Sequence, residues 1–392
     1  MDTMNELFYQ DAYRTVFDSE VISCTKGKHG YEIVLKETSF YPEGGGQPGD
    51  QGTLNEVPVK DTRRKNGAIV HITDLPLETG TAVHGTIDWN RRFDLMQQHS
   101  GEHIFSGIVH QLFGYENIGF HLGEETITLD FSGPLTWEDL RTVETKANEI
   151  LYRNEPIEIS YPSPEELALL EYRSKKELEG LVRIVTVPGA DVCACCGTHV
   201  HRTGEIGLIK VLSTASRKNG TRTEIVCGRR ALRYVQTVTD QNLAISHLLS
   251  APVSETSVAV ERLRAEMLDS TYRLRGIILH QLEENLKDIE DHTPVYVLFT
   301  EGIDTQELRK YANQVIEEKH AGIAAIFTAG KEGMQYVILS SETDLKPLSR
   351  LLNERFSGRG GGSSQMIQGS LHGEPEEIRT VLQAYAEEKA DH

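Results

Sequence analysis

The stretch MQQHSGEHIFSG, residues 96–107, places His99 and His103 four residues apart with Glu102 between them. Around it Leu95, Ile104, Phe105, Ile108, Val109 and Leu112 recur at spacings of three and four, which predicts a helix. On a helix, residues i and i+4 share one face, so both imidazoles can reach a single ion. Taken alone, the pair is as compatible with two half-buried histidines lining a helix. A second stretch, CACCGTHV at 193–200, tips the balance, because Cys195 and His199 repeat the four-residue spacing. Three imidazoles and one soft thiolate suit zinc, which takes Cys sulfur and His nitrogen in tetrahedral geometry. Cys193 and Cys196 are rivals for the thiolate, and the spacing favours Cys195.

HSGEH also reads as H-x-x-E-H, the signature of inverted zinc metallopeptidases, whose Glu is a general base and whose third ligand is a later carboxylate. Here the second contributor is a Cys/His pair beside a strand, which ranks the peptidase below a Cys/His zinc site.

Working outward, residues 1–90 hold the strand-like runs YEIVLKETSF, GTLNEVPVKDT, GAIVHITDL and TAVHGTIDW, separated by Gly- and Pro-rich turns. That pattern predicts a small β-barrel. Between two of its strands lies FYPEGGGQPGDQG (40–52), whose three glycines suit close backbone approach to a ligand or a neighbouring domain. Residues 91–238 mix helices and strands as an α+β zinc-binding layer. Residues 239–292 read as a helical hairpin or coiled coil: Val260, Leu263, Met267, Leu274 and Ile277 keep a heptad seam that Ser270 interrupts. The apolar set then shifts to Ile278, Leu282, Leu286 and Ile289. Residues 293–392 alternate strands and helices around a Gly-rich loop, GRGGGSSQMIQGS, as a small α/β domain. The expected fold class is therefore α+β and multidomain.

At −19 the net charge argues against a protein that coats nucleic acid indiscriminately. One local basic strip exists: from 201 to 233, Arg202, Lys210, Arg217, Lys218, Arg222, Arg229, Arg230 and Arg233 face only Glu205 and Glu224. Such a strip can hold phosphates, although a solvated strand face has the same composition. No apolar run approaches the roughly 20 residues that span a bilayer. The N-terminus lacks a signal pattern, and five cysteines, three of them clustered, suit thiols or a metal rather than disulfides. A cytoplasmic protein without a membrane partner is expected.

The set FYPEGGGQPGDQG, QQHSGEHIFSG and CCGTHVHRTGEIG resembles the editing part of alanyl-tRNA synthetase and its stand-alone relatives, the AlaX-type alanyl-tRNA editing hydrolases. The family's third motif is typically Cys-Gly-Gly-Thr-His, and Cys195-Cys196-Gly197-Thr198-His199 departs from it only at Cys196. RKNGTRTEIVCGRRAL (217–232) and GRGGGSSQMIQGS resemble the strand after the metal site and the carboxy-terminal DHHA1-type domain. With the metal helix beginning near residue 90, the resemblance implies a free-standing, long-form editing protein. It implies hydrolysis of the ester joining serine, or glycine, to the 3′ end of tRNA(Ala). The apolar spacing of the 256–290 helix predicts a homodimer, with hairpin packing within one chain as its alternative.

Carried over residue by residue, His99, His103, Cys195 and His199 are zinc ligands. His199, if loosely bound, doubles as a proton shuttle. Zinc is expected to position the substrate's amino group or a water, without a covalent intermediate. Glu102 is expected either to orient an imidazole or to be an exposed helix carboxylate. Thr198 either bonds a seryl hydroxyl or fixes its turn. Gln47 and His121 are candidates for the substrate pocket, His121 with a core role as its alternative. Arg217, Lys218, Arg222, Arg229 and Arg230 are candidates for tRNA contact. A zinc peptidase and a non-catalytic tRNA-binding module with structural zinc are the competing readings.

Overall fold

The computed structural model describes residues 6–174, 182–330 and 333–390. The chain separates into two compact units, Met1–Leu243 and Ala244–His392.

The first unit begins with a short helix α1 (Leu7–Gln10) and six strands: β1 (Val16–Gly27), β2 (Gly30–Leu35), β3 (Gly52–Leu54), β4 (Val57–Lys65), β5 (Ala68–Thr73) and β6 (Ala82–Ile87). They close into a barrel in the order β1-β2-β5-β4-β3-β6, filled by Phe17, Val21, Ile33, Leu54, Val59 and Val83 from alternate positions. β1 was not among the runs read as strands, because Asp18, Ser19 and Glu20 blunt its alternation. Asp88 caps the next helix, α2 (Trp89–Phe113), and Gly114 ends it in the left-handed conformation at φ 69°. Arg92, buried on α2, locks this helix to the barrel: its guanidinium grips both carboxylate oxygens of buried Asp50 and donates to the Ser39 carbonyl at 2.6 Å.

Then follow β7 (Asn117–Leu122), β8 (Ile127–Phe131), α3 (Trp137–Arg153), β9 (Glu158–Ser160), α4 (Pro164–Leu167), β10 (Ile184–Val187), β11 (Asp191–Ala194), β12 (Ile209–Arg217) and β13 (Gly220–Cys227). They build two antiparallel sheets, β12-β13-β8-β7 and β11-β10-β9. α2 is wedged among them, and two glycines of its motif explain how. A Cβ at Gly101 would stand 2.3 Å from Cys227 Sγ, and one at Gly107 would stand 2.2 Å from the Ala190 carbonyl. Glycine at both places lets β13 and the turn before β11 press against the helix backbone.

Helix α5 (Gly228–Leu249) crosses the boundary between units. The second unit continues with α6 (Thr256–Asp288), β14 (Val295–Thr300), α7 (Thr305–Lys319), β15 (Ile323–Ala329), β16 (Met334–Leu339), α8 (Lys346–Arg355), β17 (Arg359–Gly362), β18 (Met366–Leu371) and α9 (Pro375–Ala390). Its sheet runs β14-β15-β16-β18-β17, with β14 and β15 parallel and the rest antiparallel. Alternate residues feed two cores: Ile323, Ala325 and Phe327 on one face, Ala324 and Ile326 on the other. The stretch read as a Gly-rich loop is instead the hairpin β17–β18. Asn353 pairs with both backbone groups of Gly360 at 3.0 Å, and a Cβ there would collide with the Tyr336 hydroxyl. The overall class is α+β, with the barrel where the alternation placed it.

Candidate metal centre

α2 presents His99 and His103 on one face, and the turn after β11 brings Cys195 and His199 against them. The three imidazole centroids lie 4.7–5.3 Å apart, and Cys195 Sγ is 3.4 Å from His99 Nε2. One donor atom from each of the four residues falls within 4.8 Å of all the others. The three histidines are buried.

Each imidazole has its Nδ1 engaged from outside. His99 Nδ1 meets Gln47 Oε1 at 2.8 Å, His103 Nδ1 meets Asp191 Oδ2 at 2.9 Å, and His199 Nδ1 meets Ser100 Oγ at 3.2 Å. The amide and carboxylate oxygens only accept, so His99 and His103 donate from Nδ1 and turn bare Nε2 atoms inward. Ser100 accepts from Val200 N and has a second lone pair for His199. His199 Nε2 is buried without a hydrogen-bond partner. Such an orphaned nitrogen is costly unless something else uses its lone pair. Arg173 holds Asp191 with two bonds of 2.7 and 2.9 Å.

Burial pushes the Cys195 thiol up, but His99, His103 and His199 together outweigh it and hold the thiol well below its ordinary value. Burial pushes His199 down to about 3, leaving it neutral. For His103, burial is outweighed by the Cys195 and Cys193 sulfurs and by Asp191, which raise it well above the usual imidazole value. A proton shared between thiolate and imidazole is what a divalent metal displaces. One thiolate and three inward nitrogens fit tetrahedral zinc, and the orphaned His199 Nε2 is the observation that asks for it. Cys193 sits in β11 with its thiol pushed up by burial to about 11, and Cys196 is exposed.

The glycine loop delivers Gln47. Gly46 adopts φ 83°, and a Cβ on it would lie 2.5 Å from the Phe120 ring, which itself packs 5.4 Å from the His99 ring. Gln47 is buried. It donates to Thr198 Oγ1 at 2.8 Å and accepts from Thr198 N at 3.2 Å, tying both metal motifs to the barrel. Gly197 makes room from the other side, since a Cβ there would stand 2.1 Å from His99 Cε1.

Glu102 is buried rather than exposed: its Oε1 accepts from Ser106 Oγ at 2.8 Å and Asn117 Nδ2 at 2.6 Å, and it stands outside the donor group. His121, for which a core role was the alternative, is exposed on β7. It shares with Pro48, Gln51 and Arg91 a cleft that extends from Gln47 to Arg229, Arg230 and Arg233.

The basic strip is not what its local count suggests. Arg222 makes two bonds of 2.6 and 2.7 Å to Asp130, Arg230 two of 2.7 and 2.9 Å to Asp94, and Lys210 one of 2.7 Å to Glu144. Arg229 reaches Asn90 at 3.3 Å, while Arg217 and Lys218 are exposed at the β12–β13 turn. The neutralising carboxylates lie 66 to 136 residues away in sequence, beyond any local count.

Sequence reasoning missed Asp191, Ser100 and Arg173. Asp191 continues the four-residue spacing of Cys195 and His199 backwards, a signal that was present. Arg173 offered none.

Residues 182–222 match the Threonyl and Alanyl tRNA synthetase second additional domain, and residues 3–91 match tRNA synthetases class II (A). Both stretches thus belong with domains shared by aminoacyl-tRNA synthetases. Over 397 residues the chain is 30% identical to alanyl-tRNA editing protein Aarsd1-A of Xenopus laevis, covering 95% of this chain and 96% of that one. It is 28% identical over 403 residues to alanyl-tRNA editing protein AlaX-L of Pyrococcus horikoshii, covering 96% and 97%. Against the alanine–tRNA ligase of Natronomonas pharaonis it is 30% identical, covering 97% of this chain but 44% of that one. The chain belongs to the alanyl-tRNA editing protein family.

Proposed function

We propose that this protein is a zinc-dependent trans-editing hydrolase that removes serine, and secondarily glycine, from mischarged tRNA(Ala). Family membership makes it an aminoacyl-tRNA deacylase. The observation that carries the zinc reading is the convergence of His99, His103, Cys195 and His199, each imidazole already oriented through Nδ1. A synthetase pocket for alanine discriminates poorly against amino acids of nearly the same size, so a second, hydrolytic site supplies the missing selectivity.

Bound among these donors, zinc would supply positive charge able to hold the substrate's amino group or to acidify a water. Gln47 and Asp191 keep His99 and His103 in register. Thr198, whose oxygen accepts from Gln47, retains its own proton to donate to a seryl hydroxyl or to the ester. His199, kept neutral by burial and the least firmly held through Nδ1, is the ligand best suited to yield its place, and it would take up a proton only on leaving that buried position. Glu102 acts as a positioning carboxylate through Ser106 and Asn117. For the tRNA, the cleft past His121 toward Arg229, together with Arg217 and Lys218, offers the less encumbered cations; Arg222 and Arg230 contribute less because carboxylates already hold them. The reading includes a cytoplasmic protein and a homodimer through 256–290. No single helix among the described residues is long and apolar enough to cross a membrane.

The test is hydrolysis of seryl-tRNA(Ala) beside alanyl-tRNA(Ala), with and without a zinc chelator, and with His103→Ala. Chelator-sensitive loss of serine with alanine spared is expected. A zinc-loaded sample that cleaves neither ester defeats the reading; peptide cleavage would then favour a peptidase, and tRNA binding without turnover a binding module. The peptidase is the weaker alternative, because the four-residue group holds no carboxylate, Asp191 meets His103 at Nδ1 with Arg173 on its other side, and Glu102 is engaged elsewhere.

A further inference from the structure

Arg92, Arg173, Arg222 and Arg230 each hold an aspartate through Nε and Nη2. That edge of a guanidinium carries two parallel N–H groups and grips carboxylates and phosphates two oxygens at a time. Arg183, at the entrance to β10, breaks the pattern. It is 7% exposed, and among the described residues its hydrogen bond runs from Nη1 to the Cys195 carbonyl at 2.8 Å, not to a carboxylate. Nε is buried without a partner, and Nη2 makes no hydrogen bond to a described residue. A buried cation whose gripping edge is unfilled is costly and calls for an anion.

This cation stands on the metal turn itself. Cys195 N donates back to the Arg183 carbonyl at 3.1 Å, which pins the turn to the strand. The Tyr9 ring of α1 lies 5.4 Å from the guanidinium, and its hydroxyl donates to the Cys196 carbonyl at 3.1 Å. Through Phe8, whose ring meets Tyr41 edge-on at 5.4 Å, α1 also borders the glycine loop, where Tyr41 donates to the Gly44 carbonyl at 3.0 Å. Cys196 is exposed and a Cβ on Gly45 would meet nothing within 4 Å, so solvent reaches both the turn and the loop.

We propose that Arg183 receives the phosphate of the tRNA's terminal nucleotide, gripping it through Nη2 and Nε while the ester lies at the metal centre. This rests on the deacylase reading above and deepens it by naming the part of the substrate that this residue takes. Substrate chemistry selects the phosphate. The amino acid's own carboxyl is tied up in the ester, and its amino group is a cation that a guanidinium repels. The fixed negative charge nearest the ester is the 5′-phosphate of the same nucleotide, one ribose away. A cation bonded to the carbonyl of a donor residue stands correspondingly close to the metal.

The test uses the zinc-loaded full chain and two small esters, seryl-adenosine and seryl-adenosine 5′-phosphate, which differ only in the phosphate. The wild type is expected to show a KM about tenfold lower for the phosphorylated ester, the worth of one charge-assisted contact. Arg183→Gln should bring the two KM values together. Arg183→Lys should recover part of the gap, because the charge remains and the fork is lost. Since Arg183 also braces the Cys195 carbonyl, damage to the turn would weaken both esters alike, and the ratio between them reads the phosphate alone. Ligand-detected NMR with adenosine 5′-monophosphate and adenosine repeats the comparison on the wild type without turnover and without a variant. Equal KM values or equal binding in the wild type overturn the assignment, as does a gap that survives Arg183→Gln. Inorganic phosphate bound as tightly as the nucleotide would mark a free anion site and overturn it too. All of these leave cleavage of seryl-tRNA(Ala) standing; loss of that cleavage defeats the deacylase reading instead, while the NMR comparison still decides the phosphate contact.

Discussion

Helices α2 and α6 invert each other. α2 carries two histidines, a glutamate, two glutamines and an arginine, all buried, and almost every polar atom has a partner from the barrel or the sheets. α6 carries an apolar stripe, interrupted at Ser270, and leaves it in water over eighteen residues. Apolar content thus does not decide burial here. α2 is buried because glycines at 101 and 107 admit neighbouring backbone and because specific partners satisfy its polar groups. On α6, none of the described residues of its own unit covers the stripe before residue 278. The first helix is specified by polar geometry, and the second is still available for specification by a partner.

Removing room from α2 is the sharpest way to break this contrast. Gly107→Val would drive a branched side chain into the Ala190 carbonyl and cost several kcal/mol, on the order of 3 or more. Fluorescence should register it directly, since both tryptophans, Trp89 and Trp137, lie in the first unit. A smaller loss follows from Asp191→Asn, which leaves the fold intact but blurs the His103 tautomer. Zinc affinity should drop by roughly 10- to 100-fold in a competitive chelator titration. Unchanged affinity would mean that Asp191 serves Arg173 alone.

The barrel that supplies Gln47 has its own dependence on pH. Burial pushes His71 down to about 4, against the opposing bond to the Ile33 carbonyl. The unfolded chain takes up this proton below the ordinary imidazole value while the folded barrel does not until about pH 4. Stability of the first unit should therefore fall as pH drops from 6.5 toward 4, by up to about 3 kcal/mol. His71→Gln should flatten that slope in urea unfolding followed by tryptophan fluorescence; an unchanged slope would mean the imidazole is charged in the fold.

The smallest effects belong to exposed positions. Arg217→Ala with Lys218→Ala should raise KM for charged tRNA a few-fold and reduce its salt dependence, with kcat nearly unchanged. If KM does not move at any ionic strength, the β12–β13 turn is not part of the tRNA surface. Leu263→Ala should alter the stability of dilute protein by no more than about 0.5 kcal/mol, because the side chain is exposed within its own chain.

The sequence carried the barrel through strand alternation and the donor set through two four-residue spacings, because both are periodic and local. It misjudged features whose cause is distant. The strip at 201–233 looked uniformly basic since Asp94, Asp130 and Glu144 come from other elements. GRGGG looked like a loop since glycine has poor strand propensity, whereas Tyr336 and Asn353 are what make it a strand edge. Glu102 could not be placed on either side of the burial divide without knowing that Asn117 would meet it. The glycine run near residue 45 was read correctly as a close approach, but its product, a glutamine seated on His99, required the fold.

X-ray absorption at the zinc edge on the purified full chain tests the centre most directly. One zinc per chain is expected, with a single sulfur at about 2.3 Å and nitrogens at about 2.0 Å. Two or more sulfurs would bring Cys193 or Cys196 into the shell and contradict the four-residue site, and a chain that retains no zinc at all would contradict the metal reading altogether.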